Sequence, residues 1–368
     1  SACRAACHQP RNTLPEAAAL RIELKIAADA TYTLGHHLSG VGIYCNELLG
    51  ELVQAHPGDR FYFCYRPHRF LHSFQVSLPQ NVRRFLLREP LVPMHADVFH
   101  GLNQRLPVSP LHRAVATFHD LFVLTGDYST PEFKARFAEQ ARYAAEQSDL
   151  IIAVSQFTAD QVHDLLGVER AKLRVIPHGV RPLKQPPPPQ WGRRPLILSV
   201  GAIQKRKNTL RLVKAFEKVA QRDWKLVLVG SSGFGSEEVF DAIRSSPRVH
   251  DIVVRGYISD EDLETLYREA AIFAFPSLDE GFGMPVLDAM AHGVPVLTSN
   301  RSALPEVAGD AALLVDPESE DEIAEGLRLL MQSSEKRQEL IEKGIARAAG
   351  FTWKSAAART REVYREVV

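Results

Sequence analysis

Two patterns of apolar and polar positions alternate along the first half of the chain. Short apolar runs such as ADVFHG, AVATFHDL and DLIIAVS predict buried strands. Between them, PEFKARFAEQARYAAEQS has apolar residues at helical spacing and predicts a long amphipathic helix. Strands that alternate with helices in this way favour a parallel sheet. The first half of the chain is therefore predicted to be an α/β domain.

A proline-rich segment interrupts this alternation. The four consecutive prolines in LKQPPPPQWGRRP favour an extended, semi-rigid spacer. After it the pattern restarts with LILSVGAI, KLVLVGSSG and AIFAFPS, which predicts a second doubly wound α/β domain. The last segment, FTWKSAAARTREVYREV, has an apolar stripe that another part of the protein must cover. The predicted division is a loose extension (1–21), a first Rossmann-like domain (22–183), a linker (184–195), a second Rossmann-like domain (196–351) and a final helix (352–368).

Composition limits the classes of partner. A length of 368 residues and a hydrophobic content of 45% are enough for two hydrophobic cores. Lys plus Arg and Asp plus Glu both number 44, so the formal net charge is zero. Such a chain has no overall field that attracts nucleic acid, and we expect no nucleic acid partner. Any anion site must be local.

Cysteine usage and hydropathy indicate the compartment. The cysteines lack the density of a disulfide scaffold and the CxxC spacing of a zinc site. No run approaches the roughly 18 apolar residues needed to span a bilayer, and residues 1–21 lack the apolar core of a signal peptide. We expect a cytoplasmic protein whose opening residues are a loose or non-native extension. The four cysteines are Cys3, Cys7, Cys45 and Cys64.

The segment DEGFGMPVLDAMAHG has the features of a helix start that binds an anion. Glycines flank Phe282, and the free backbone amides of such a start attract phosphate. Glu280 and Asp288 bracket the start, where carboxylates would repel a phosphate unless they bind another part of the same ligand. A nucleotide sugar, with its hydroxyls, satisfies both observations; otherwise the carboxylates merely complement the helix dipole. The predicted amides are those of Gly281, Phe282, Gly283 and Met284.

A second anion candidate lies in SVGAIQKRKNTLRLV. Here a strand ends in glycine, a helix follows, and Lys205, Arg206 and Lys207 form a basic cluster at the junction. Cations in this position suit a diphosphate, with charged hydrogen bonds worth about 1.5–3 kcal/mol each. A solvated basic turn is the alternative.

Two further features lie in the first domain. Gly40 and Gly42 occupy a loop-to-helix junction, where the missing Cβ lets the backbone approach a ligand, although a tight turn explains them equally. His119 and Asp120 directly follow the predicted strand AVATF, at the carboxyl end where open α/β sheets place their sites. A histidine that only caps or packs is the alternative.

These segments resemble a known family. FPSLDEGFGMPVLDAMAHGVPVLTSN resembles the nucleotide-sugar site of the retaining family 4 glycosyltransferases, and GAIQKRKN is similar to a segment of their mannosyltransferase-like group. The similarity extends from about residue 24 to residue 368. It implies the α/β GT-B fold, in which two Rossmann-like doubly wound domains face each other across a cleft. It also implies that the last helix returns to the N-terminal, acceptor-side domain.

The resemblance implies roles for the residues of the second domain. Glu280 matches the carboxylate that faces the transferred sugar, and Asp288 stands where the family usually has a glutamate that holds the ribose. Arg206 and Lys207 would contact the diphosphate, because Ala202 stands where many members have an arginine. The segment VRGYISDEDLETLY resembles the one whose backbone reads the nucleobase, which assigns that role to Tyr257 and Ile258.

The resemblance extends to the first domain. Gly40 and Gly42 match a glycine loop that closes over the donor phosphate. His119 and Asp120 match a pair near the transferred sugar, and His119 is assigned to positioning or proton handling. Asn103 is assigned, with His119, to the acceptor cleft.

The implied reaction transfers a hexose from a nucleoside diphosphate sugar to a hydroxyl with retention of anomeric configuration. A GDP-mannose-type donor fits the mannosyltransferase-like resemblance, and UDP- and ADP-linked sugars stay open. No metal or other cofactor is implied, and the sequence has no evident metal-ligand cluster. The acceptor is a polysaccharide, a lipid-linked glycan or a small molecule.

Two other functions are compatible with doubly wound domains. A nucleotide-sugar sensor would keep the diphosphate site without transfer, and a NAD-dependent oxidoreductase would need the glycine fingerprint that GSSGFGSEE lacks. Membrane contact is a separate question. NVRRFLLRE, with Arg83, Arg84 and Arg88, would bind the inner face of an anionic membrane peripherally if it were an exposed helix, whereas an ordinary edge strand is the alternative.

Overall fold

The structure is a computed structural model that describes residues 23–35, 38–219 and 221–368. The predicted extension 1–21, with Cys3 and Cys7, lies outside the described residues. Cys45 and Cys64 are buried and free. Within the described ranges, no helix is long and apolar enough to cross a bilayer.

The first sheet has seven described strands, all paired in parallel, in the order β3-β2-β1-β4-β5-β6-β7. Its central strands are largely buried because helices cover both faces; every residue of β4 and β5 is buried. The strands are β1 (Lys25–Asp29), β2 (Arg60–Tyr65), β3 (Val82–Leu86), β4 (Val98–Gly101), β5 (Ala114–Phe118), β6 (Leu150–Ala153) and β7 (Leu173–Val175).

The three longer helices of the first domain, α1, α4 and α5, begin at side-chain caps. The Ser39 hydroxyl accepts a hydrogen bond from the backbone N–H of Gly42, and Ser155 does the same for Thr158. Gly167 ends α5 in the left-handed conformation that favours glycine, with φ of 69°. The helices are α1 (Gly40–Ala55), α2 (Pro67–Phe70), α3 (Phe122–Thr125), α4 (Pro131–Gln147) and α5 (Gln156–Leu166).

The second sheet has six described strands, also parallel, in the order β10-β9-β8-β11-β12-β13. The strands are β8 (Arg194–Val200), β9 (Lys225–Val229), β10 (Ile252–Gly256), β11 (Ala270–Phe275), β12 (Val296–Ser299) and β13 (Ala312–Val315). The helices are α6 (Thr209–Val219), α7 (Ser236–Ser245), α8 (Asp260–Glu269), α9 (Met284–Ala291), α10 (Leu304–Ala308), α11 (Glu320–Gln332), α12 (Ser334–Ala349) and α13 (Trp353–Val367).

The strand orders locate the site. The order reverses between β1 and β4 in the first sheet and between β8 and β11 in the second. Ligands of open α/β sheets bind outside the carboxyl ends of the strands at such switch points. The predicted glycine loop follows β1, the basic cluster follows β8, and Glu280 follows β11. The prediction of two Rossmann-like domains is confirmed, and both switch points carry predicted site residues.

The last helix packs on the first domain. Trp353 and Tyr364 of α13 belong to the same buried cluster as Tyr44 and Leu48 of α1. Tyr364 also enters a buried hydrogen-bond network: its hydroxyl lies 2.6 Å from His100 Nδ1, and His100 Nε2 lies 2.8 Å from the Thr117 hydroxyl. Because these buried groups have partners, the network stabilises the packing of α13 against β4 and β5.

The structure bears on the sequence interpretation of two segments, NVRRFLLRE and the proline-rich linker. For NVRRFLLRE the edge-strand interpretation is confirmed and the exposed-helix interpretation is wrong, since Val82–Leu86 is the strand β3 at the edge of the first sheet, paired with β2. At the proline-rich segment, β8 already begins at Arg194, inside the predicted linker 184–195. The five-part division of the chain stays a prediction.

Candidate active site

Glu280 is the centre of a buried charge cluster in the loop between β11 and α9. Its Oε1 accepts hydrogen bonds from Lys207 Nζ at 2.5 Å and from the Ser277 hydroxyl at 2.6 Å. Its Oε2 lies 3.0 Å from Nη1 of Arg206. Glu280 is only 7% exposed. The structure therefore brings together three predicted site residues, and Ser277 is a partner that sequence reasoning missed.

The cations are positioned by a tight turn after β8. Lys205–Lys207 forms a 3-10 helix that ends at Asn208, whose φ of 59° is left-handed. The Asn208 amide donates to the carbonyl oxygens of Pro276 at 2.9 Å and Pro317 at 2.6 Å, which connects this turn to the segments that follow β11 and β13. Asparagine tolerates the left-handed conformation better than most residues. Asn208 therefore ends the turn with its backbone and connects it to the neighbouring loops with its side-chain amide.

Aromatic rings cover the two cations. The Arg206 guanidinium lies 4.1 Å from the ring centroid of Phe122 in the first domain, and Lys207 Nζ lies 4.7 Å from that of Phe275. Such cation–π contacts contribute about 0.5–2 kcal/mol and hold the charged groups in place. Arg206 also donates to the carbonyl oxygen of Asp279 at 2.5 Å. The cluster is therefore rigid and largely shielded from water.

The pKa values in the cluster follow from burial and charge. Burial disfavours ionisation of Glu280, but Arg206 and Lys207 outweigh it and lower the pKa of Glu280 to about 2. For Lys207 burial dominates and lowers the pKa, although Glu280 opposes the shift. Burial raises the pKa of Asp120 to about 6, against the opposing charge of Arg206. Glu280 is therefore ionised throughout the physiological range, whereas Asp120 titrates close to it.

His119 follows β5 and is neutral. Its Nε2 lies 2.9 Å from the carbonyl oxygen of Leu102, which requires the proton on Nε2 and leaves Nδ1 as an acceptor. Burial lowers the pKa of His119 to about 4. The ring of Tyr44 meets it edge-on at 4.6 Å, and the ring of His178 stacks on it at 5.5 Å. These contacts fix the orientation of the imidazole.

The glycine-rich turn before α9 docks on the first domain. A Cβ on Gly281 would lie 1.8 Å from the carbonyl oxygen of His119 and 2.9 Å from Cβ of Asp120, so only glycine fits there. The carbonyl oxygen of Gly281 accepts hydrogen bonds from the hydroxyls of Ser155 at 2.6 Å and Thr158 at 3.1 Å. The turn that carries Glu280 is thus held directly against the His-Asp pair.

A second contact reinforces this docking at the start of α5. The Glu306 carboxylate, from α10, accepts hydrogen bonds from the backbone N–H groups of Gln156 at 2.8 Å and Phe157 at 3.2 Å. A negative charge at a helix N-terminus is stabilised by the helix dipole. We refer to Ser155, Thr158, Gly281 and Glu306 as the interdomain clasp. None of the clasp except Gly281 was predicted, since no local pattern marks these residues.

The other predicted glycines lie close to this turn. A Cβ on Gly40 would lie 3.1 Å from Cε of Met284, so the glycine loop faces the start of α9 across the cleft. A Cβ on Gly42 would lie 2.8 Å from the carbonyl oxygen of Tyr32, so Gly42 packs within its own domain. The ring of Phe282 lies 4.7 Å from that of His178, buried behind the turn. Gly40 and Met284 therefore face each other across the cleft. Gly42 and Phe282 instead pack in the interior, against Tyr32 and His178.

Asp288 lies at the opposite end of the site, on α9. Burial raises its pKa to about 6, against the opposing charge of Arg181. Arg181 pairs at 2.8 Å with Asp260, the first residue of α8. Both line a cavity of about 140 Å³ that also contains Asp288. Arg181 was missed, although it is the charged residue that directly follows HGV, between Val180 and Pro182.

A larger cleft of about 600 Å³ adjoins Arg181 and Asp260. It contains the predicted base-reading residues Tyr257 and Ile258. The first domain contributes the opposite wall with Leu38, Ile43, Asn46 and Glu47. Asn103 is not among the residues that line this cleft; its Oδ1 accepts a hydrogen bond from the N–H of Gln104 at 2.8 Å in the loop after β4, directly after Leu102, whose carbonyl oxygen contacts His119. In the described residues, no group of three or more His, Cys, Asp and Glu side chains is arranged to hold a metal ion.

Comparison with known proteins identifies the class. Residues 33–182 match the family described as Glycosyltransferase Family 4, and residues 183–347 match the family described as Glycosyl transferases group 1. O-antigen chain mannosyltransferase B of Escherichia coli is 31% identical in an alignment of 384 residues, gaps included, which covers 91% of this chain and 98% of that protein. The chain therefore belongs to the family 4 glycosyltransferases with the GT-B fold, as its resemblance implied.

Other relatives agree with this assignment. MMP alpha-(1→4)-mannosyltransferase of Mycolicibacterium hassiacum is 31% identical over 239 residues, which cover 63% of this chain and 57% of that protein. Sucrose-phosphate synthase from Thermosynechococcus elongatus has a TM-score of 0.76 at 20% identity, covering 94% of this chain and 99% of that one. Anabaena Alr3699/HepE, in complex with UDP-glucose, has a TM-score of 0.72 at 17% identity, covering 94% and 100%. The two structural likenesses establish the fold alone.

Proposed function

We propose that this glycosyltransferase transfers mannose from GDP-mannose to a hydroxyl of a glycan or lipid-linked glycan, with retention of anomeric configuration. The relatives named as mannosyltransferases support the sugar, and the O-antigen relative supports a glycan acceptor. The observation that carries the proposal is the Glu280–Arg206–Lys207 cluster at the switch point of the second sheet, where Gly281 packs against His119 and Asp120.

Charge development explains the role of the cations. The diphosphate gains negative charge as the bond to the sugar breaks, and preorganised donors in a water-poor site stabilise such charge. Arg206 is buried and Lys207 is partly buried, and both lie against aromatic rings and are already paired with an anionic partner. We propose that they act without a metal ion. Turnover unchanged by EDTA and by added Mg²⁺ or Mn²⁺ is the expected result, and a metal requirement would contradict it.

Glu280, His119 and Asp120 are each assigned a role in the transfer reaction. Glu280 is ionised and pairs with both cations, so it keeps them aligned. Its carboxylate can also accept a hydrogen bond from a sugar hydroxyl. His119 is neutral, with Nδ1 as an acceptor, and is therefore proposed to position the sugar rather than to act as a charged acid. Asp120, with its pKa raised to about 6, is proposed to assist the proton transfer near the acceptor. We propose a front-face reaction assisted by the leaving phosphate; a product of inverted anomeric configuration in NMR would exclude it.

The donor is tested by a thermal-shift and calorimetric screen of GDP, UDP, ADP and NAD with their sugar conjugates. We expect selective stabilisation by GDP and GDP-mannose that weakens in Lys207→Ala, followed by mannose transfer to a glycan acceptor. Binding without transfer to any acceptor would favour the sensor alternative. A response to NAD alone would favour the oxidoreductase alternative.

A further inference from the structure

His178 lies where the chain passes from the first domain to the second. Two residues further on, Val180 forms a parallel bridge with Thr352, which directly precedes the returning helix α13. A Cβ on Gly179 would lie 2.1 Å from the backbone nitrogen of Trp353, so the two segments meet too closely for a side chain at this position. The two segments that connect the domains are therefore packed against each other beside His178.

The imidazole of His178 is the centre of a buried group of rings that come from both domains. From the first domain, the ring of Tyr44 lies 5.0 Å from it and the ring of His119 stacks on it at 5.5 Å. From the second domain, the ring of Phe282 meets it edge-on at 4.7 Å. The indole of Trp353, at the start of α13, lies 5.7 Å away. Only 4% of His178 is exposed, so these rings confine its imidazole, and we refer to the five residues as the ring cluster.

The ring cluster connects the turn before α9 with His119. Phe282 belongs to this turn and stands two residues after Glu280. In the described residues, the ring of Phe282 contacts the ring of His178, which in turn stacks on the ring of His119. Close-packed interiors transmit displacements because they compress very little. A shift of the turn would therefore reach the His119 imidazole through His178.

The imidazole of His178 acts in this cluster as a neutral, flat ring. Burial lowers its pKa well below the usual value for histidine. Its Nδ1 is buried and has no hydrogen-bond partner among the described residues. Since Nδ1 forms no hydrogen bond, the contacts with the other rings hold the imidazole in place. A phenyl ring is similarly flat and would make the same contacts.

We propose that His178 is a positioning residue for the transfer reaction, whose ring orients the His119 imidazole when the turn that carries Glu280 is in place. This inference rests on the proposed function of His119. It adds that the two halves of the active site are aligned through one residue at the crossing between the domains. A chain without the ring should bind the nucleotide normally and transfer the sugar slowly, because a misplacement of about 1 Å can lower a rate about 100-fold.

Steady-state kinetics of two variants of the full chain test the proposal. His178→Leu replaces the imidazole with an apolar side chain that cannot stack flat on His119, whereas His178→Phe keeps a flat ring. We expect His178→Leu to lower kcat about 10- to 100-fold while the calorimetric Kd for GDP changes less than about twofold, and His178→Phe to keep kcat within about threefold of the original chain. An unchanged kcat in His178→Leu, an equal loss in His178→Phe, or a loss of GDP affinity as large as the loss of kcat would overturn the proposal.

A double-mutant cycle shows whether His178 acts through His119. If it does, His178→Leu should lower kcat no further in a chain that already carries His119→Ala, because the group that it orients is gone. The cycle with Phe282→Leu should be non-additive for a related reason, since Phe282 passes the position of the turn to the ring. Losses in kcat that multiply in either cycle would show that His178 acts independently, which contradicts the proposal.

A matched control separates positioning from a general loss of stability. Phe216 is a fully buried ring in a different cluster, in the core of the second domain. Phe216→Leu should lower the free energy of unfolding in urea and leave kcat unchanged. If Phe216→Leu and His178→Leu reduced kcat alike, kcat would simply follow stability and the positioning role would be wrong.

The NMR signals of the His119 ring distinguish failure of this proposal from failure of the proposed function. In protein with isotope-labelled histidine, GDP should shift the His119 ring resonances of the original chain and of His178→Phe, and shift them less in His178→Leu; His119→Ala assigns the resonances. If GDP binds and this difference is missing, only the positioning proposal fails. If the difference is present and no acceptor is glycosylated, the orientation by His178 stands and the proposed transfer fails. A chain that binds no nucleotide would contradict both.

Discussion

The two carboxylates that bracket the start of α9 are in opposite electrostatic states. Glu280 meets two cations, Lys207 at 2.5 Å and Arg206 at 3.0 Å, which lower its pKa to about 2. Asp288 is half-buried with a single opposing cation, Arg181, which is itself paired with Asp260, and its pKa rises to about 6. Desolvation raises the pKa of both groups, so the neighbouring charges decide the outcome: two cations at Glu280, but one cation and the carboxylates of Asp260 and Glu47 at Asp288.

The difference separates two kinds of recognition. The Glu280 end has fixed charges whose orientation is settled before any ligand arrives, as stabilisation of a developing charge requires. The Asp288 end has a carboxyl group that gains or loses a proton near neutral pH, which suits a contact with hydroxyl groups that varies with conditions. The loop before α9 thus places a permanent charge at one end of the site, and α9 itself places a titratable group at the other.

The largest effect is expected from Glu280→Gln, which removes the permanent charge that distinguishes Glu280 from Asp288. Without the carboxylate, Arg206 and Lys207 lose their alignment, and we expect kcat to fall about 100- to 1000-fold. Steady-state kinetics with the sugar donor measures this. Asp288→Asn is the matched control and should lower kcat much less; an equal loss in both variants would show that the two ends act alike.

The next effect concerns the diphosphate. Lys207→Ala removes a buried ammonium group and should weaken binding of the nucleoside diphosphate by about 1.5–3 kcal/mol, or roughly 10- to 100-fold in Kd. Isothermal titration calorimetry measures it. Lys205→Ala is the control, because the Lys205 side chain is half exposed and forms only a 3.5 Å pair with Asp127. Equal losses in the two variants would mean that Lys207 has no special position.

The titration of Asp288 makes the free energy of unfolding depend on pH, which Glu280 does not do near neutral pH. Folding raises the pKa of Asp288 from 3.8 to about 6, so this group stabilises the folded state fully below pH 3.8 and loses that contribution as the pH rises through 6. The difference amounts to about 3 kcal/mol. Urea unfolding from pH 4 to 8 should show it as a fall in stability that Asp288→Asn reduces. Asp120 also titrates near pH 6, so the difference between the two chains is the relevant quantity.

The same protonation should affect nucleotide binding. Ribose hydroxyls are bound better by the ionised carboxylate, so the affinity for the nucleoside diphosphate should fall as the pH drops below about 6. The Asp288→Asn variant should lose most of this dependence, and Glu280→Gln should keep it. A pH profile of Kd for the three chains measures the effect, and identical profiles would contradict the assignment.

The smallest effect is expected at the interdomain clasp. Glu306→Gln removes a charge from the start of α5 and should cost about 0.3–1 kcal/mol, which would raise KM for the donor about two- to fivefold with little change in unfolding. Because Gly281 adjoins Glu280, the sugar conjugate should lose more affinity than the free nucleoside diphosphate. An unchanged KM, or equal losses for both ligands, would show that the clasp does not position the Glu280 end. The control Glu318→Gln changes a carboxylate that pairs with Arg301 outside the clasp.

Sequence reasoning was most successful where the signal is local. The glycine turn, Glu280 and the basic cluster are each marked by neighbouring residues, and the structure brings Glu280, Arg206 and Lys207 into contact. It was least successful for Arg181, Ser277 and the clasp, which have ordinary local surroundings. The segment NVRRFLLRE shows the same limit, since its alternatives could be separated only by its pairing with β2.

The sequence by itself determined the alternation of strands and helices and the chemistry available at their ends, because side-chain direction repeats every two residues in strands and every 3.6 in helices. The tertiary structure decided which groups meet. Lys207 and Glu280 are 73 residues apart, Ser155 and Gly281 are 126 apart, and His100 and Tyr364 are 264 apart. Such pairs leave no periodic signal, and their burial and charge set the pKa values on which the site depends.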